Sequence, residues 1–383
     1  MKLLVIGGTG VLSGAVVNEA IRNNIDVTIV IRGSKKYIVP QGVNIILADY
    51  RNRPLMETAI KGKHYDAVID FICYNKEQIA YSIDLLHTVA DQYIFISTTC
   101  VYDTSIPGIK TENSKKVLAD WNYSVNKWAC ECLLRDKAKE LNFNYSIIRP
   151  CVTYDDTRIP YGVMPPYGYH WTICARILAG KPIIRWDNGT TRWNMMRVED
   201  FAIGVVGIIG NKQAYNEAYN LSGDNAYEWN DVISIVEEYL GKKSVICDMT
   251  SSEYKSFYPK RSGEIVGRSL DAIIDNSKIK ALVPSYNTTY SLREGLLKTL
   301  EAYKSQNYQK GIDWTYDANL DLIISLYCKK HNMNSKSYNL GFTDYLGTAT
   351  FSDKKRYWME YHSNSILVKS IRKISKMVSQ LTK

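Results

Sequence analysis

Short, nearly continuous apolar runs recur along the first 150 residues of the chain. They are rich in Val, Ile and aromatic residues and lie at Lys2–Ile6, Asp26–Ile31, Val43–Leu47, Tyr65–Phe71, Tyr93–Tyr102 and Phe143–Arg149. Segments of helical length separate these runs, a pattern typical of parallel strands that are covered on both faces. The sequence therefore predicts an α/β fold with a doubly wound parallel sheet of the Rossmann type.

The first strand continues into the glycine-rich stretch Gly7-Gly-Thr-Gly10-Val-Leu-Ser13-Gly14, which opens a helix through Arg22. The free N–H groups and the positive dipole end of such a helix form a cradle for a pyrophosphate. Ser13 replaces the third glycine of the usual motif, and we expect its small side chain to let helix and strand pack. The predicted cofactor contacts in this stretch are Gly7, Thr9, Gly10, Val11 and Leu12.

The end of the second strand bears on the choice of cofactor. Sites selective for NAD usually have an acidic residue here for the ribose 2′-hydroxyl. Ile31 occupies the aligned position, Arg32 follows it, and Lys36 is close by. These cations would attract a 2′-phosphate, so we predict NADP and regard NAD as the less favoured cofactor. A solvated basic loop is the alternative interpretation.

Tyr123 and Lys127 are four residues apart, a spacing that puts both on one helix face. A phenol ionises near pH ~10, and an ammonium within ~4–6 Å lowers that value toward neutrality. The pair therefore predicts a proton-transferring Tyr123 tuned by Lys127, although a solvated helix face has the same spacing. The run that starts at Tyr93 ends in hydroxyls, where ligands of such sheets bind.

Composition limits the function classes. The 383 residues are 45% hydrophobic and 23% charged, and no apolar run is long enough to span a membrane. The eight cysteines have neither the spacing of a zinc site nor that of a disulfide framework, so we expect reduced, cytoplasmic thiols and no metal. Of the net charge of +9, residues 352–383 carry +6, which argues against a nucleic-acid groove on the body of the protein.

The basic tail ends in an amphipathic pattern. In Ser365–Lys383, apolar residues recur at 4-3-4-3 spacing, and most cations fall on the other faces. We expect a helix that docks on its own body or on a sister subunit, or one that makes a peripheral contact with an anionic membrane.

The chain up to about residue 305 resembles the extended short-chain dehydrogenase/reductases, in particular the NAD(P)-dependent nucleotide-sugar epimerases and dehydratases. The resemblance rests on Gly7-Gly-Thr-Gly10, Asp49, Ser97-Thr98-Thr-Cys-Val-Tyr102, Tyr123-x-x-x-Lys127 and Arg149-Pro150, and on the later segments 189–200, 220–223 and 275–278. It implies a dinucleotide-binding domain over residues 1–155 with parts of 195–225, and a substrate-binding domain mainly over 156–305. Residues 306–383 form an extension with the basic helix at 365–383.

The resemblance also implies roles for individual residues. Thr98 and Tyr123 would contact the sugar 4-hydroxyl, with Thr99 beside them, and Lys127 would bind the nicotinamide ribose. The remaining cofactor contacts are Asp49 at the adenine, Tyr50, Phe71, and the backbone at Pro150 and Val152. Arg192 and Arg261 are the candidate cations for the substrate diphosphate. Because Thr99 and Cys100 replace the acid pair of the 4,6-dehydratases, we do not expect dehydration.

Cys100 and His170 occupy positions similar to a proton-transferring pair found in some members of the family. Such a pair could invert C3 or C5 next to a 4-keto group, because that group acidifies the neighbouring protons. The alternatives are a packing role for Cys100 and a structural or nucleotide-contacting role for His170.

The expected function is that of an NADP-dependent nucleotide-sugar epimerase in polysaccharide biosynthesis, acting through a transient 4-keto sugar with or without C3/C5 epimerisation. We expect a homodimer in the cytoplasm. One alternative is an NADPH-dependent 4-ketosugar reductase. Another is a non-catalytic nucleic-acid-binding relative of the same fold, which the intact Tyr123, Lys127 and Thr98 disfavour.

Overall fold

The computed structural model describes residues 1–33, 39–116, 121–163, 165, 169–259, 262–308 and 311–381. The strands are β1 (Lys2–Ile6), β2 (Asp26–Ile31), β3 (Asn44–Leu47), β4 (Ala67–Asp70), β5 (Gln92–Ile96), β6 (Asn144–Pro150), β7 (Val152–Tyr154), β8 (Pro182–Trp186), β9 (Arg192–Arg197), β10 (Glu217–Leu221), β11 (Ala226–Glu228) and β12 (Val245–Met249).

The helices are α1 (Val11–Arg22), α2 (Arg53–Ile60), α3 (Lys76–Leu86), α4 (Asn122–Leu141), α5 (Trp171–Ala179), α6 (Val198–Ile208), α7 (Trp229–Leu240), α8 (Ser251–Phe257), α9 (Gly263–Gly267), α10 (Ser277–Leu282), α11 (Leu292–Ser305), α12 (Trp314–Lys330), α13 (Phe351–Tyr361) and α14 (Ile366–Leu381). In the described ranges, none of them is both long and apolar enough to cross a lipid bilayer.

A seven-stranded sheet in the order β10-β6-β5-β4-β1-β2-β3 forms the centre of the first compact unit. Each neighbouring pair is parallel, with Val5 opposite Ile29 on one side and Ile69 on the other. Apolar clusters cover both faces of the sheet, so its central strands are buried on both sides as their continuous apolar sequences require. The predicted doubly wound Rossmann fold is confirmed.

The chain divides into two compact units. The first consists of residues 1–155, 191–228 and 270–295, and the second of residues 156–190, 229–269 and 296–383. The extension at 306–383, which the sequence sets apart, therefore belongs to the second unit. It contains the helices α12, α13 and α14, of which α14 occupies the place of the predicted basic helix at 365–383.

A buried cluster of charges connects the extension with the rest of the second unit. Arg176 on α5 donates to Asp317 (2.5 Å) and Asp321 (2.8 Å) on α12. Lys181 donates to the same two carboxylates at 3.2 and 2.6 Å, and all four side chains are fully buried. The hydroxyl of Tyr357 on α13 also donates to Asp321.

The four charges of this cluster balance, so each ion has partners that replace its hydration. Burial by itself raises the pKa of Asp321, but Arg176 and Lys181 outweigh that effect and hold the pKa below its usual range. The extension is thus attached through buried ion pairs, and removing one partner would leave a buried charge without compensation.

We predict that Arg176→Leu destabilises the protein by about 3–5 kcal/mol, because Lys181 alone cannot compensate two buried carboxylates. The matched control is Arg185→Leu, which breaks a partly exposed pair with Asp248 in the same unit and should cost at most about 1 kcal/mol. Chemical and thermal denaturation of both variants measure the difference. Equal losses of stability would contradict the importance assigned to the cluster.

Candidate functional site

The glycine turn after β1 has the geometry that the sequence predicts for a phosphate cradle. Gly7 has φ of +88°, and a Cβ placed on it would lie 2.5 Å from Cγ2 of Ile72. A side chain is therefore excluded both by the backbone conformation and by the lack of space. Gly14, by contrast, has no heavy atom within 4 Å of a built Cβ.

Ser13 closes this turn with its hydroxyl. Its Oγ donates to the carbonyl of Gly7 at 2.7 Å and accepts from the N–H of Gly10 at 2.8 Å. The side chain is buried at the start of α1, so helix and strand pack as expected. The serine thus adds two hydrogen bonds that a glycine could not supply, while the first turn of α1 retains N–H groups for an anion.

A cavity of about 580 Å³ opens at the carboxyl ends of β1, β2 and β4. The predicted contacts Gly7, Thr9, Arg32, Asp49 and Tyr50 all line it. The other lining residues are Val30, Ile31, Ala48, Arg51, Asp70, Ile72, Cys73, Asn75, Glu77, Gln78, Tyr81 and Ser82. A cleft at this edge of a doubly wound sheet, next to a glycine turn and a helix N-terminus, fits a dinucleotide.

Arg51 dominates the electrostatics at the outer side of the cavity. Its Nη2 donates to Oδ2 of Asp49 at 2.7 Å, while its Nε and backbone N–H donate to Oδ1 at 3.1 and 3.0 Å. These hydrogen bonds lower the pKa of Asp49 to about 2. Asp49, which the family resemblance assigns to the adenine amino group, therefore already accepts hydrogen bonds from Arg51.

The floor of the cavity is a buried polar chain. Tyr50 donates to Ser82 at 3.0 Å, and Ser82 donates to Asp70 at 2.6 Å. Asp70 also accepts from Tyr93 (3.1 Å) and from the N–H of Ile72 (2.9 Å). Because its carboxylate accepts three hydrogen bonds within the protein, Asp70 holds the loop after β4 in place.

The hydroxyl-rich end of β5 turns into a short 3-10 helix, Thr99–Val101. Thr98 caps it, with its Oγ1 accepting from the N–H of Cys100 at 3.2 Å. Ser124, the residue after Tyr123, donates to the carbonyl of Cys100. Local contacts thus tie the start of α4 to the strand end that carries Thr98 and Cys100.

Lys127 lies one turn after Tyr123 on α4, as the spacing predicts. Its Nζ donates to the carbonyls of Cys73 (2.6 Å) and Ile96 (2.7 Å), at the ends of the β4 and β5 region. Burial lowers the pKa of Lys127, against Cys73 and Asp70, which raise it. The ammonium is therefore anchored at the carboxyl edge of the sheet, and the ring of Tyr123 packs 5.2 Å from that of Trp121.

A second buried network joins α4 to the strands beneath it. Arg149 on β6 donates to Glu131 on α4 through Nε (2.9 Å) and Nη2 (2.6 Å), and Ser97 donates to the same carboxylate at 2.6 Å. Arg149 also donates to the hydroxyl of Tyr102 at 2.8 Å. Glu131 and Arg149 are fully buried, so this bidentate pair defines the position of α4 on the sheet.

Several of the predicted site residues do not line the cofactor cavity. Nε and Nη2 of Arg192 both donate to Oδ2 of Asp271, at 3.0 and 2.8 Å, so a diphosphate there would compete with a carboxylate. Lys36 and Arg261 lie outside the described residues. Phe71 packs against the apolar cluster of the first unit, and Pro150 ends β6 just before Val152 opens β7.

His170 belongs to the second unit, at the start of α5. It is buried, and its Nδ1 accepts from the N–H of Ile159 at 2.9 Å. Burial, followed by the charge of Arg158, lowers the pKa of His170 to about 4. These contacts favour the structural alternative for this histidine, although its predicted pairing with Cys100 stays a prediction.

Comparison with known proteins agrees with this geometry. The model of the "NAD dependent epimerase/dehydratase family" matches residues 3–222, more than half of the chain. The chain belongs to the NAD-dependent epimerase/dehydratase family. The resemblance to the extended dehydrogenase/reductases is thereby confirmed.

Individual members of the family are only distantly similar. A 2′-dehydrokanamycin reductase of Streptomyces kanamyceticus is 21% identical over 63% of this chain and 67% of its own length. The chloroplast stem-loop binding protein of 41 kDa b of Arabidopsis thaliana is 23% identical over 85% of this chain and 84% of its own. The structure of a UDP-glucuronic acid 4-epimerase of Bacillus cereus, in complex with UDP-glucuronic acid and NAD, superposes with a TM-score of 0.61 at 19% identity, covering 80% and 100% of the two chains.

Two residues of this family member were missed in the sequence. Arg51 follows the recognised Asp49 by two positions, and Glu131 follows Lys127 by one helical turn. Glu131 could have been found, because an arginine inside an apolar strand needs a buried carboxylate partner and position 131 lies on the same helix face as Lys127. No comparable signal pointed to Arg51.

Proposed function

We propose that the protein is an NADP-dependent nucleotide-sugar epimerase that acts through a transient 4-keto sugar. The observation that carries the proposal is the placement of α4, whose Lys127 is anchored at the carboxyl edge of β4 and β5 while Ser124 ties its first turn to Cys100. Tyr123 is on the same face as Lys127, and Thr98 contacts Cys100.

In the proposed reaction Tyr123 accepts the proton of the sugar 4-hydroxyl and returns it after the ring has turned. The Lys127 charge favours the phenolate form of Tyr123, and Thr98 hydrogen-bonds the same sugar oxygen. A bound nicotinamide supplies the hydride acceptor and donor. Gly7, Thr9 and the first turn of α1 bind its phosphates, while Asp49 and Tyr50 line the adenosine end.

The proposed preference for NADP is supported by the charges at the cavity mouth. Arg32 and Arg51 both line it, and Ile31 occupies the position where a carboxylate would select NAD. The acids that line the same cavity are Asp49, which pairs with Arg51, Glu77 and the buried Asp70. The relative from B. cereus was solved with NAD, so a preference for the phosphorylated cofactor would set this chain apart from it.

We further propose that the enzyme epimerises the sugar at C3 or C5. Cys100 supports it because the thiol directly follows the Thr98-Thr99 pair and its side chain is partly exposed at the strand end. The predicted partner, His170, is buried in the second unit and accepts a hydrogen bond from the N–H of Ile159, so its role in this step stays a prediction.

Two alternatives have support of their own. A 4-ketosugar reductase would use the same residues, and one distant relative is named as a 2′-dehydrokanamycin reductase. A non-catalytic nucleic-acid-binding protein is suggested by the name of the other relative, but the intact Tyr123, Lys127 and Thr98 favour an enzyme. The nucleotide sugar remains the proposed partner, in a homodimer in the cytoplasm, where the eight thiols would stay reduced.

Tyr123→Phe should lower turnover by about 10²–10⁴-fold, because it removes the proton acceptor. Cofactor affinity should stay within about two-fold, since the cavity is untouched, whereas Lys127→Ala should lose both. Tyr215→Phe on the surface of the same unit is the control. The measurements are cofactor titration and reduction of bound nicotinamide by a panel of nucleotide sugars. Wild-type turnover in Tyr123→Phe would remove the basis of the assignment.

Arg32→Ala should weaken NADP binding by about 1.5–3 kcal/mol, the scale of a charge-assisted hydrogen bond, and leave NAD nearly unchanged. Arg22→Ala, which removes an exposed arginine at the end of α1, is the control for net charge. Calorimetric titration with both cofactors measures the effect. If the wild type binds NAD and NADP equally well, the cofactor proposal is wrong.

Solvent exchange tests the finer reaction. With a 4-keto nucleotide sugar in deuterated water, the wild type should incorporate deuterium at C3 or C5, and Cys100→Ser should slow this sharply because a hydroxyl is a much weaker acid than a thiol. Cys132→Ser on α4 is the matched control. Mass and NMR spectra of the sugar report the label. Turnover without ring deuterium would reduce Cys100 to a packing residue.

A further inference from the structure

The last helix, α14, displays an uncovered apolar stripe. Leu367, Ile371, Ile374 and Val378 follow one another at spacings of four, three and four residues, so they share one helix face. Their exposed fractions are 60, 38, 61 and 53%, respectively. Met377 and Ile366, which are also exposed, widen the stripe on one side. Among the described residues, Leu367, Ile371 and Ile374 thus keep 38–61% of their surface open to solvent.

A different face attaches the helix to its own unit. Val368 is fully buried, and Arg372 donates to the carbonyl of Met359 (3.0 Å) and to Glu360 (2.7 Å) on α13. Val368 and Arg372 are four residues apart and thus lie together on the helix, beside the apolar stripe. This contact agrees with the expected docking of the helix on its own body, and the apolar stripe lies beside it.

All the charged residues of α14 are basic. Lys369, Arg372, Lys373 and Lys376 are its charged residues, and the helix contains no Asp or Glu. A surface that binds such a helix should therefore offer an apolar layer for the stripe and negative charge for the cations beside it. Long lysine side chains next to such a stripe can extend toward anions while their methylene groups lie on apolar surface.

A second copy of the chain supplies the apolar layer but not the negative charge. A symmetric contact of stripe against stripe would cover the apolar residues, but it would leave Lys369 and Lys373, which lie on helix faces outside the stripe, without an anionic counterpart. The surface of a bilayer with anionic lipids supplies both complements at once, since phosphate charges lie directly above the acyl chains.

We propose that α14 binds an anionic membrane surface, with its apolar stripe between the lipids and with Lys369 and Lys373 against the phosphates. The helix then lies in the plane of the interface, because it is too polar to cross the bilayer. A single helix of this kind binds reversibly. Its affinity depends both on buried apolar area and on lipid charge.

The test uses the full-length protein and two kinds of vesicle, one of phosphatidylcholine alone and one with about a quarter of phosphatidylglycerol. We expect sedimentation with the anionic vesicles and little with the neutral ones. Lys369→Gln with Lys373→Gln should lower the partition coefficient by roughly 25-fold, since each cation near such a surface contributes roughly five-fold. Leu367→Ser with Ile374→Ser should abolish binding.

The matched control is Lys61→Gln with Lys63→Gln, which removes the same charge from an exposed loop of the first unit and should leave vesicle binding unchanged. Thermal unfolding of every variant checks that the fold is retained. Equal binding to neutral vesicles, no binding of the wild type, or an equal loss in the control would each overturn the proposal. Analytical ultracentrifugation tests the competing interpretation. If the wild type is a dimer and Leu367→Ser with Ile374→Ser converts it to a monomer, the stripe is a subunit interface and the membrane proposal is wrong.

Discussion

The buried ion pair between Glu131 and Arg149 is the constraint on which the site depends. Two fully buried charges are stable only while they remain together, since removing one partner from such a pair typically costs about 3–5 kcal/mol. The bidentate geometry and the hydrogen bond from Ser97 allow one position of α4 on the strands beneath it. Tyr123 and Lys127 are carried on that helix, so their location at the sheet edge follows from two charges that are not among the lining residues of the cavity.

The cofactor cavity combines rigid and adjustable parts. Gly7 and Ser13 determine the course of the backbone at the phosphate end, where steric exclusion and two hydrogen bonds leave little freedom. The adenosine end is bordered by exposed side chains, above all the pair of Asp49 and Arg51. Such an exposed pair contributes little to stability and can exchange partners when a ligand arrives. Discrimination between NAD and NADP therefore depends on the charged surface side chains at the mouth of the cavity. The fold itself favours neither cofactor.

The second unit uses charge in two opposite ways. In its interior, Arg176 and Lys181 balance Asp317 and Asp321, so the extension is attached through a neutral cluster. On its surface, α14 carries only cations beside an apolar stripe. The first arrangement satisfies its own charges, whereas the second pairs Arg372 with Glu360 and, as we propose, binds an anionic surface through Lys369 and Lys373. Within residues 306–383, the buried carboxylates of α12 thus have a structural role, whereas the cations of α14 belong to a proposed interaction surface.

Local patterns in the sequence determined the sheet, the glycine turn, the Tyr123 and Lys127 helix and the amphipathic tail. Each rests on neighbours in the chain: continuous apolar runs, a strand that meets a helix N-terminus, and residues four apart on one helix face. Only the tertiary structure decided which charges meet. Glu131 and Arg149, Arg192 and Asp271, and Arg176 and Asp317 are separated by 18 to 141 positions. The pairing of distant charges depends on how strands and helices pack, and no local period encodes it. The same reason explains why the apolar stripe of α14 could be predicted, while its exposure to solvent could be seen only in the folded chain.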